Sequence, residues 1–233
     1  AEQFNACALL FMQSEHDPSS IWLIAEMMGL NLPESTKHQL RQTFEEFVRD
    51  KAFPCVGAKS ALAHNTLKTV VCWSINSAWD DLRIHRELLD WAFEYRNQPS
   101  LFRSIAFIFA DPDPISEYAF ETAMWERIQS LADKDAWLKQ PYDPRVSSDP
   151  ESPYFSLSFG GEGFFVVGMH PNAHRPARRF ERPVLVFNLH DQFGTLRDQG
   201  KYETIRETIL TRDKKLAGSI NPMLSRHGES SEA

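Results

Sequence analysis

Between residues 170 and 179 the chain carries His170, His174, Arg175, Arg178 and Arg179. A neutral imidazole is a proton acceptor near neutral pH and a ligand for iron, copper or zinc. A guanidinium is a forked donor that matches carboxylates. His190 follows in Asn188-Leu189-His190. His170 and His174 have a spacing that chelates a metal on a helix, but Pro171 opposes a helix there. The chain has no HExxH pattern and no cysteine pair at zinc spacing, so a mononuclear zinc site is poorly supported. A haem suits these residue types better. It needs one axial His or Cys, an apolar aromatic cavity and cations for two propionates. His170 or Cys55 can supply the ligand, and Arg175, Arg178 and Arg179 the cations. A solvated turn, or salt bridges to the many acids, accounts equally well for the arginines. Composition permits a haem without showing one.

The elements that must hold these groups run from Gly160 to Asn188. Phe164-Phe165-Val166-Val167 and Val184-Leu185-Val186-Phe187 are uncharged, β-branched or aromatic runs, as buried strands require. Gly160-Gly161-Glu162-Gly163, between two apolar runs, signals a hairpin rather than a phosphate loop, because no helix start follows. Upstream, apolar spacing predicts helices over Ile21–Leu30, Pro33–Asp50 (Ser35 as its cap), Asp80–Arg96 and Ser116–Leu131. Strands are expected at Thr69–Ser74, Ser104–Ala110 and Phe155–Phe159, and a last helix at Lys201–Asp213. Ala132–Pro153 reads as a long loop able to cover a site. Glu117, Glu121 and Glu126 read as solvated helix residues. Pro54 and Gly57 put Cys55 on a turn near Lys59, where either a lowered-pKa thiol or a small buried residue fits. Early alternation of strands and helices, then direct strand pairing, predicts one α/β (or α+β) domain over residues 1–233. It has a mixed β-sheet flanked by helices and an N-terminal helical segment at 1–50.

At 233 residues, 42% hydrophobic and 24% charged, the chain can bury a sizeable core. Seventeen Phe and six Trp suit walls for flat ligands. A net charge of −7 argues against a nucleic-acid surface. The basic cluster at Arg175–Arg182 therefore suits a single anionic ligand. Three cysteines without framework spacing read as reduced thiols in a cytoplasmic protein. No apolar run approaches a membrane span, and no basic n-region marks a signal peptide.

Five blocks carry a resemblance: FPCVGAKSAL (Phe53–Leu62), VSSDPESPYFSLSFGGEGFFVVGMHP (Val146–Pro171), RPARRF (Arg175–Phe180), PVLVFNLHDQFGTLRDQGKYE (Pro183–Glu203) and INPMLSRHGESSEA (Ile220–Ala233). Together they resemble the YqcI/YcgG family, and within it the haem-dependent N-oxygenases of guanitoxin and cycloserine pathways. The resemblance implies a haem b monooxygenase that hydroxylates an amino or guanidino nitrogen of a small cationic amino-acid-like substrate. It implies dioxygen and an external electron donor or redox partner. A homodimer is left open. The residues it implicates are Cys55, Lys59, His170, Arg175, Arg178, Arg179, Phe180 and His190, with Gln192 and Arg197. His170 comes first as axial ligand, because it leaves a strand beside the arginines. Cys55 is the alternative, since a thiolate favours O–O cleavage, and His190 is third. Glu162 and Asp191 are the carboxylates nearest in sequence for a cationic substrate. Rival readings are a non-catalytic haem sensor or carrier, and a non-haem metal enzyme using the same histidines.

Overall fold

A computed structural model describes residues 32–111 and 115–219. The helix expected over Ile21–Leu30 and the tail from residue 220 lie outside the described residues. The chain divides into residues 1–39 and residues 40–233, and α1 (Glu34–Arg49) begins in the first and ends in the second. Its apolar stripe Leu40, Phe44 and Val48 is buried as the 3.6-residue spacing requires. Ser35 lies inside its first turn rather than at a cap, because the helix already starts at Glu34.

Residues 40–233 hold a mixed α/β domain with a five-stranded sheet. The strands are β1 (Leu67–Cys72), β2 (Ser104–Phe109), β3 (Leu157–Phe159), β4 (Glu162–Met169) and β5 (Val184–Leu189). Their spatial order is β1-β2-β5-β4-β3. Only β1 and β2 run parallel. A parallel pair needs a crossover, and α3 (Asp81–Asn97) supplies it after α2 (Val56–Ala63) and β1. The expected stripe Ile84, Leu88, Trp91 and Tyr95 is the buried face of α3.

One face of the sheet packs under α3 and α4 (Glu117–Trp137). Every residue of β2 is buried. Phe107, Phe159 and Phe164 meet Phe187 edge-on at centroid distances of 5.6, 5.8 and 6.2 Å. Such pairs add about 0.5–1.5 kcal/mol each beyond area burial. The hairpin expected between β3 and β4 forms, with Gly160 and Gly161 at φ of 60° and 81°. A two-residue turn that follows the strand twist needs positive φ at both positions, which glycine meets without strain.

α4 runs six residues beyond Leu131, so the start of the expected 132–153 loop is helical. Ser116 caps it, accepting the Ala119 N–H at 3.2 Å. Asp135 draws its far end inward by accepting from His85 Nε2 at 2.9 Å and Gly160 N–H at 3.1 Å. The rest of the segment is not a free cover. Asp143 is 1% exposed. Its N–H donates to Ser158 Oγ at 2.9 Å, and its carboxylate accepts the Gly163 N–H at 2.7 Å. α5 (Asp191–Asp198) and α6 (Tyr202–Ala217) complete the unit. Among the described residues no helix is long and apolar enough to cross a membrane.

Phe187 touches the other three rings at the centre of this face. Its replacement by alanine is expected to remove about 3–5 kcal/mol from unfolding stability, read as a lower urea midpoint at unchanged slope.

Candidate functional site

The β4–β5 register decides which way each side chain of β4 points. Phe164, Val166 and Gly168 lie opposite Leu189, Phe187 and Leu185, which belong to the core under α3 and α4. His170 continues that row by the two-residue alternation. α4 comes close here because Gly168 lacks a Cβ. A methyl would stand 2.7 Å from Phe120 Cε1 and 3.0 Å from Met124 Sδ. Phe120 can therefore stack on the His170 ring, with centroids 4.5 Å apart and planes 24° apart.

The His170 backbone is held on both sides. Its N–H donates to Arg178 O at 3.0 Å, and its carbonyl accepts from Ala173 N–H at 3.1 Å. The residue is 3% exposed, and Nδ1 is buried without a hydrogen-bond partner. An unpaired buried polar atom costs about 1–3 kcal/mol, so this one calls for a use. Burial pushes the imidazole pKa below its ordinary 6.5, and the Glu117 charge opposes the shift only in part. At neutral pH the ring is uncharged, the form that binds a metal or accepts a proton.

His170 lines a cavity of about 260 Å³ whose other walls include Phe120, Met124, Leu157 and Phe165. Glu117, Glu121, Arg175 and Arg178 supply its charges. The three arginines do not assemble there. Arg175 is paired with the buried Asp213 of α6 and donates to Ser219 O at 2.8 Å. Arg179 donates to the carbonyls of Ala173 and His174, at 3.1 and 3.2 Å, and lines a different groove. Arg178 is half-buried, with no hydrogen bond or ion pair from its side chain among the described residues. Burial, then Arg175, depresses its pKa, against Asp213 and Glu117. Pro176–Arg178 is a 3-10 turn, in which residues three apart eclipse, so Arg175 and Arg178 share a side and the pairing with Asp213 is what draws Arg175 away, whereas Arg179 is turned about 120° from Arg178.

The remaining expected residues fall elsewhere. Phe180 is 2% exposed and packs edge-on against Phe44 and Phe47, at 5.2 and 5.4 Å. Lys59 donates to Asp50 O at 2.6 Å, as a tether. Cys55 caps α2, with Sγ accepting the Ala58 N–H at 3.4 Å. Burial pushes its thiol up, outweighing the Ala58 and Gly57 N–H groups and Lys59, so it is not an activated thiol. Cys55 lines a separate cavity of about 140 Å³ with Phe102, Ser104, Asn188 and Phe193. Ser104 pairs with Asn188 in the sheet, and by alternation both point away from α3 and α4. His170 and Cys55 therefore serve opposite faces. His190 lines a third cavity, of about 240 Å³, with Arg145, Asp191 and Arg197. His174 is exposed.

Glu162 and Asp191 are not open carboxylates. Arg145 reaches Asp143 at 2.7 Å, Glu162 at 2.5 Å and Asp191 at 2.9 Å. Glu162 also lies 3.6 Å from Arg96, and Asp191 accepts from Tyr95 Oη at 2.8 Å. The carboxylates that do line the His170 cavity are Glu117 and Glu121, both exposed as the solvated reading has them. Their trace was the like-charged i,i+4 pair, which costs a helix about 0.2–0.5 kcal/mol. Among the described residues no three His, Cys, Asp or Glu side chains converge as a metal-ion site, so the non-haem reading gains no support.

These features define a mixed α/β protein with a small, mainly apolar cavity built on one buried neutral imidazole. The chain belongs to the YqcI/YcgG family, whose profile matches residues 44–233. No curated protein and no solved structure matches it.

Gly168→Ala should force α4 off β4 and cost about 1–3 kcal/mol, measured by urea unfolding. The His170 ring should titrate below 6.5 by NMR. Because its folded pKa is depressed, the unfolded chain takes the proton first. Stability should thus fall as pH drops from about 6.5 to the folded pKa, and a His170→Asn variant should lose that slope in unfolding titrations.

Proposed function

We propose that this protein is a haem-dependent N-oxygenase whose haem iron is held by His170. The observation that carries the reading is the buried, neutral imidazole with an orphaned Nδ1 in an aromatic-walled cavity. The donor set offers a haem one imidazole, apolar walls and, in Arg178, one guanidinium without an ion pair among the described residues for a propionate; Arg175 is already paired with Asp213. The cavity is partly open, and its 260 Å³ lies below the ~300–1,000 Å³ of drug-sized sites, so a haem held by His170 would extend out through the opening rather than lie wholly inside.

When bound, haem would supply dioxygen activation, with electrons from an external donor. One oxygen atom enters the new N–O bond. The other leaves as water with two electrons and two protons. The chain's own tasks are to orient and to exclude water. Phe120 fixes the plane of the imidazole. Met124, Leu157 and Phe165 keep water from the reacting nitrogen. Arg178 holds a carboxylate by charge. A cytoplasmic setting suits the free thiols of Cys55 and Cys72.

A second reading puts the iron at Cys55, favoured by a thiol placed at the N-terminus of α2, where a helix stabilises negative charge. Absorption spectra of the purified protein, oxidised, reduced and reduced with carbon monoxide, separate the two. A Soret band with an imidazole-type carbon monoxide complex, lost in His170→Ala and kept in Cys55→Ala, is expected. A thiolate-type complex lost in Cys55→Ala moves the site. No Soret band after added haemin removes both. Turnover of arginine, lysine and related amines with a reductant separates an oxygenase from a sensor or carrier.

A further inference from the structure

We infer that the cavity beside Cys55 binds a small neutral apolar molecule, or the apolar end of a larger one. It lies on the sheet face opposite His170, so the inference goes beyond the reading above and does not need it. It claims for an apolar ligand the space that iron at Cys55 would take. Four segments surround this space of about 140 Å³: Gly57 of α2, Phe102 before β2, Phe193 and Leu196 of α5, and Ile205 and Ile209 of α6. It is partly open, so a ligand has a way in. Its polar groups are already engaged. Ser104 Oγ donates to Asn188 Oδ1 at 2.7 Å, and Asn188 Nδ2 to Phe165 O at 3.4 Å. Gln192 accepts the Arg103 N–H at 3.0 Å, and Cys55 Sγ the Ala58 N–H at 3.4 Å. Arg206, the one charged residue on the wall, and Tyr202 have partners as well. A buried water needs about two to four polar partners, and here the polar side chains bond one another or the backbone instead. Apolar cavities of ~150 Å³ lined by Leu, Ile and Phe stay dry and take up benzene or xenon. Size and lining set the same class of ligand here.

Two residues keep this space at a cost to the fold. Gly57 lies in the first turn of α2, where glycine is a poorer helix former than alanine. Neither its backbone nor its neighbours require glycine. Its φ is not left-handed, and a Cβ would stand 3.4 Å from Phe102 Cδ1 and 3.9 Å from Cys55 Sγ, at van der Waals contact. What the missing side chain leaves is room between Cys55 and Phe102. Phe102 has a φ of 56°, a left-handed conformation that is costly for a bulky residue. Its surroundings impose it. Thr66 Oγ1 donates to Phe102 O at 2.8 Å, and Gln192 grips the next residue through the Arg103 N–H. The strained turn sets the Phe102 ring on the cavity wall. A mere packing gap needs neither the glycine nor the strain.

The test is amide NMR of the purified full chain, titrated with benzene, benzoate and benzylammonium. Benzene is expected to shift the amides of Gly57, Phe102 and Phe193 saturably. Each charged analogue should bind there about tenfold more weakly or worse, because the cavity cannot solvate its charge. Gly57→Ala should weaken benzene about tenfold, as one carbon does in an apolar pocket. It should unfold at the wild-type temperature or above, because alanine suits the helix better. Gly57→Leu, which fills the space, should abolish the shifts. No saturable shift at these amides, a charged analogue binding as tightly as benzene, or full affinity in Gly57→Ala overturns the inference. Displacement of benzene by added haemin also overturns it, and moves the iron to Cys55. Benzene binding in a protein that takes up no haem upholds the inference and removes only the oxygenase reading.

Discussion

The approach of α4 to β4 at Gly168 governs the chemistry of this face. A strand–helix contact this close tolerates no side chain on the strand, since a Cβ would stand 2.7 Å from Phe120. Three consequences follow from one absent methyl. Phe120 lies flat on His170 and removes it from water. Glu117 and Glu121, three residues before and one after Phe120, arrive at the mouth of the same cavity. Desolvation then makes the imidazole neutral, and only the Glu117 charge pulls the other way. The far end of α4 is fixed independently, by Asp135 between His85 and the Gly160 turn. A helix pinned at both ends can hold a cavity open in its middle, because it cannot collapse onto the strand without breaking one anchor.

The Arg145 network does comparable work at the opposite end of the hairpin. One guanidinium meets carboxylates from the connecting segment, from β4 and from α5. Its hydrogen bonds to Asp143 hold it more firmly protonated than an ordinary arginine. Burial alone would raise the Asp143 pKa, but Arg145 and two backbone N–H groups outweigh it and the pKa falls. Arg145 itself is exposed, but Asp143 and Glu162 are buried, so removing the guanidinium would leave two buried carboxylates unpaired, at a cost in stability. That cost explains why the Pro- and Ser-rich segment lies fixed against β3 and β4 instead of moving over a site. It also explains why Glu162 and Asp191 are spent on structure.

Much of the sheet was legible because strands and helices announce themselves by period. The Phe164–Val167 and Val184–Phe187 runs, the Gly160-Gly161 hairpin and the Ile84–Tyr95 stripe all follow from local pattern. The partition of the site was not legible, because it depends on register. His170 and Asn188 sit at strand ends of similar character, yet pairing sends one toward α4 and the other to the opposite face. The arginine loop misled for a related reason. Proximity in sequence suggested one cradle, whereas Asp213 takes Arg175 and the carbonyls of Ala173 and His174 take Arg179, which leaves Arg178 at the cavity. Glu117 and Glu121 look like any solvated pair until α4 is placed on β4. Asp143 and Arg145 gave no signal, since apart from each other their partners Ser158, Glu162, Gly163 and Asp191 are distant in the chain.

The two side chains proposed as iron donors differ in the proton each would have to surrender. His170 is already neutral at pH 7, because burial disfavours its charged form. Its ligation releases no proton above its depressed pKa, and its affinity should not change with pH there. Cys55 is driven the other way by the same force. Burial disfavours the thiolate, so the thiol keeps its proton beyond its ordinary range despite two backbone N–H groups and Lys59. A metal at Cys55 must displace that proton, and its affinity should rise tenfold per pH unit until the thiol titrates. An iron's own charge would help a thiolate once bound, but burial opposes the deprotonation that must come first. Desolvation therefore arms the imidazole and silences the thiol, and this difference, more than the nearness of any arginine, favours His170 as the ligand.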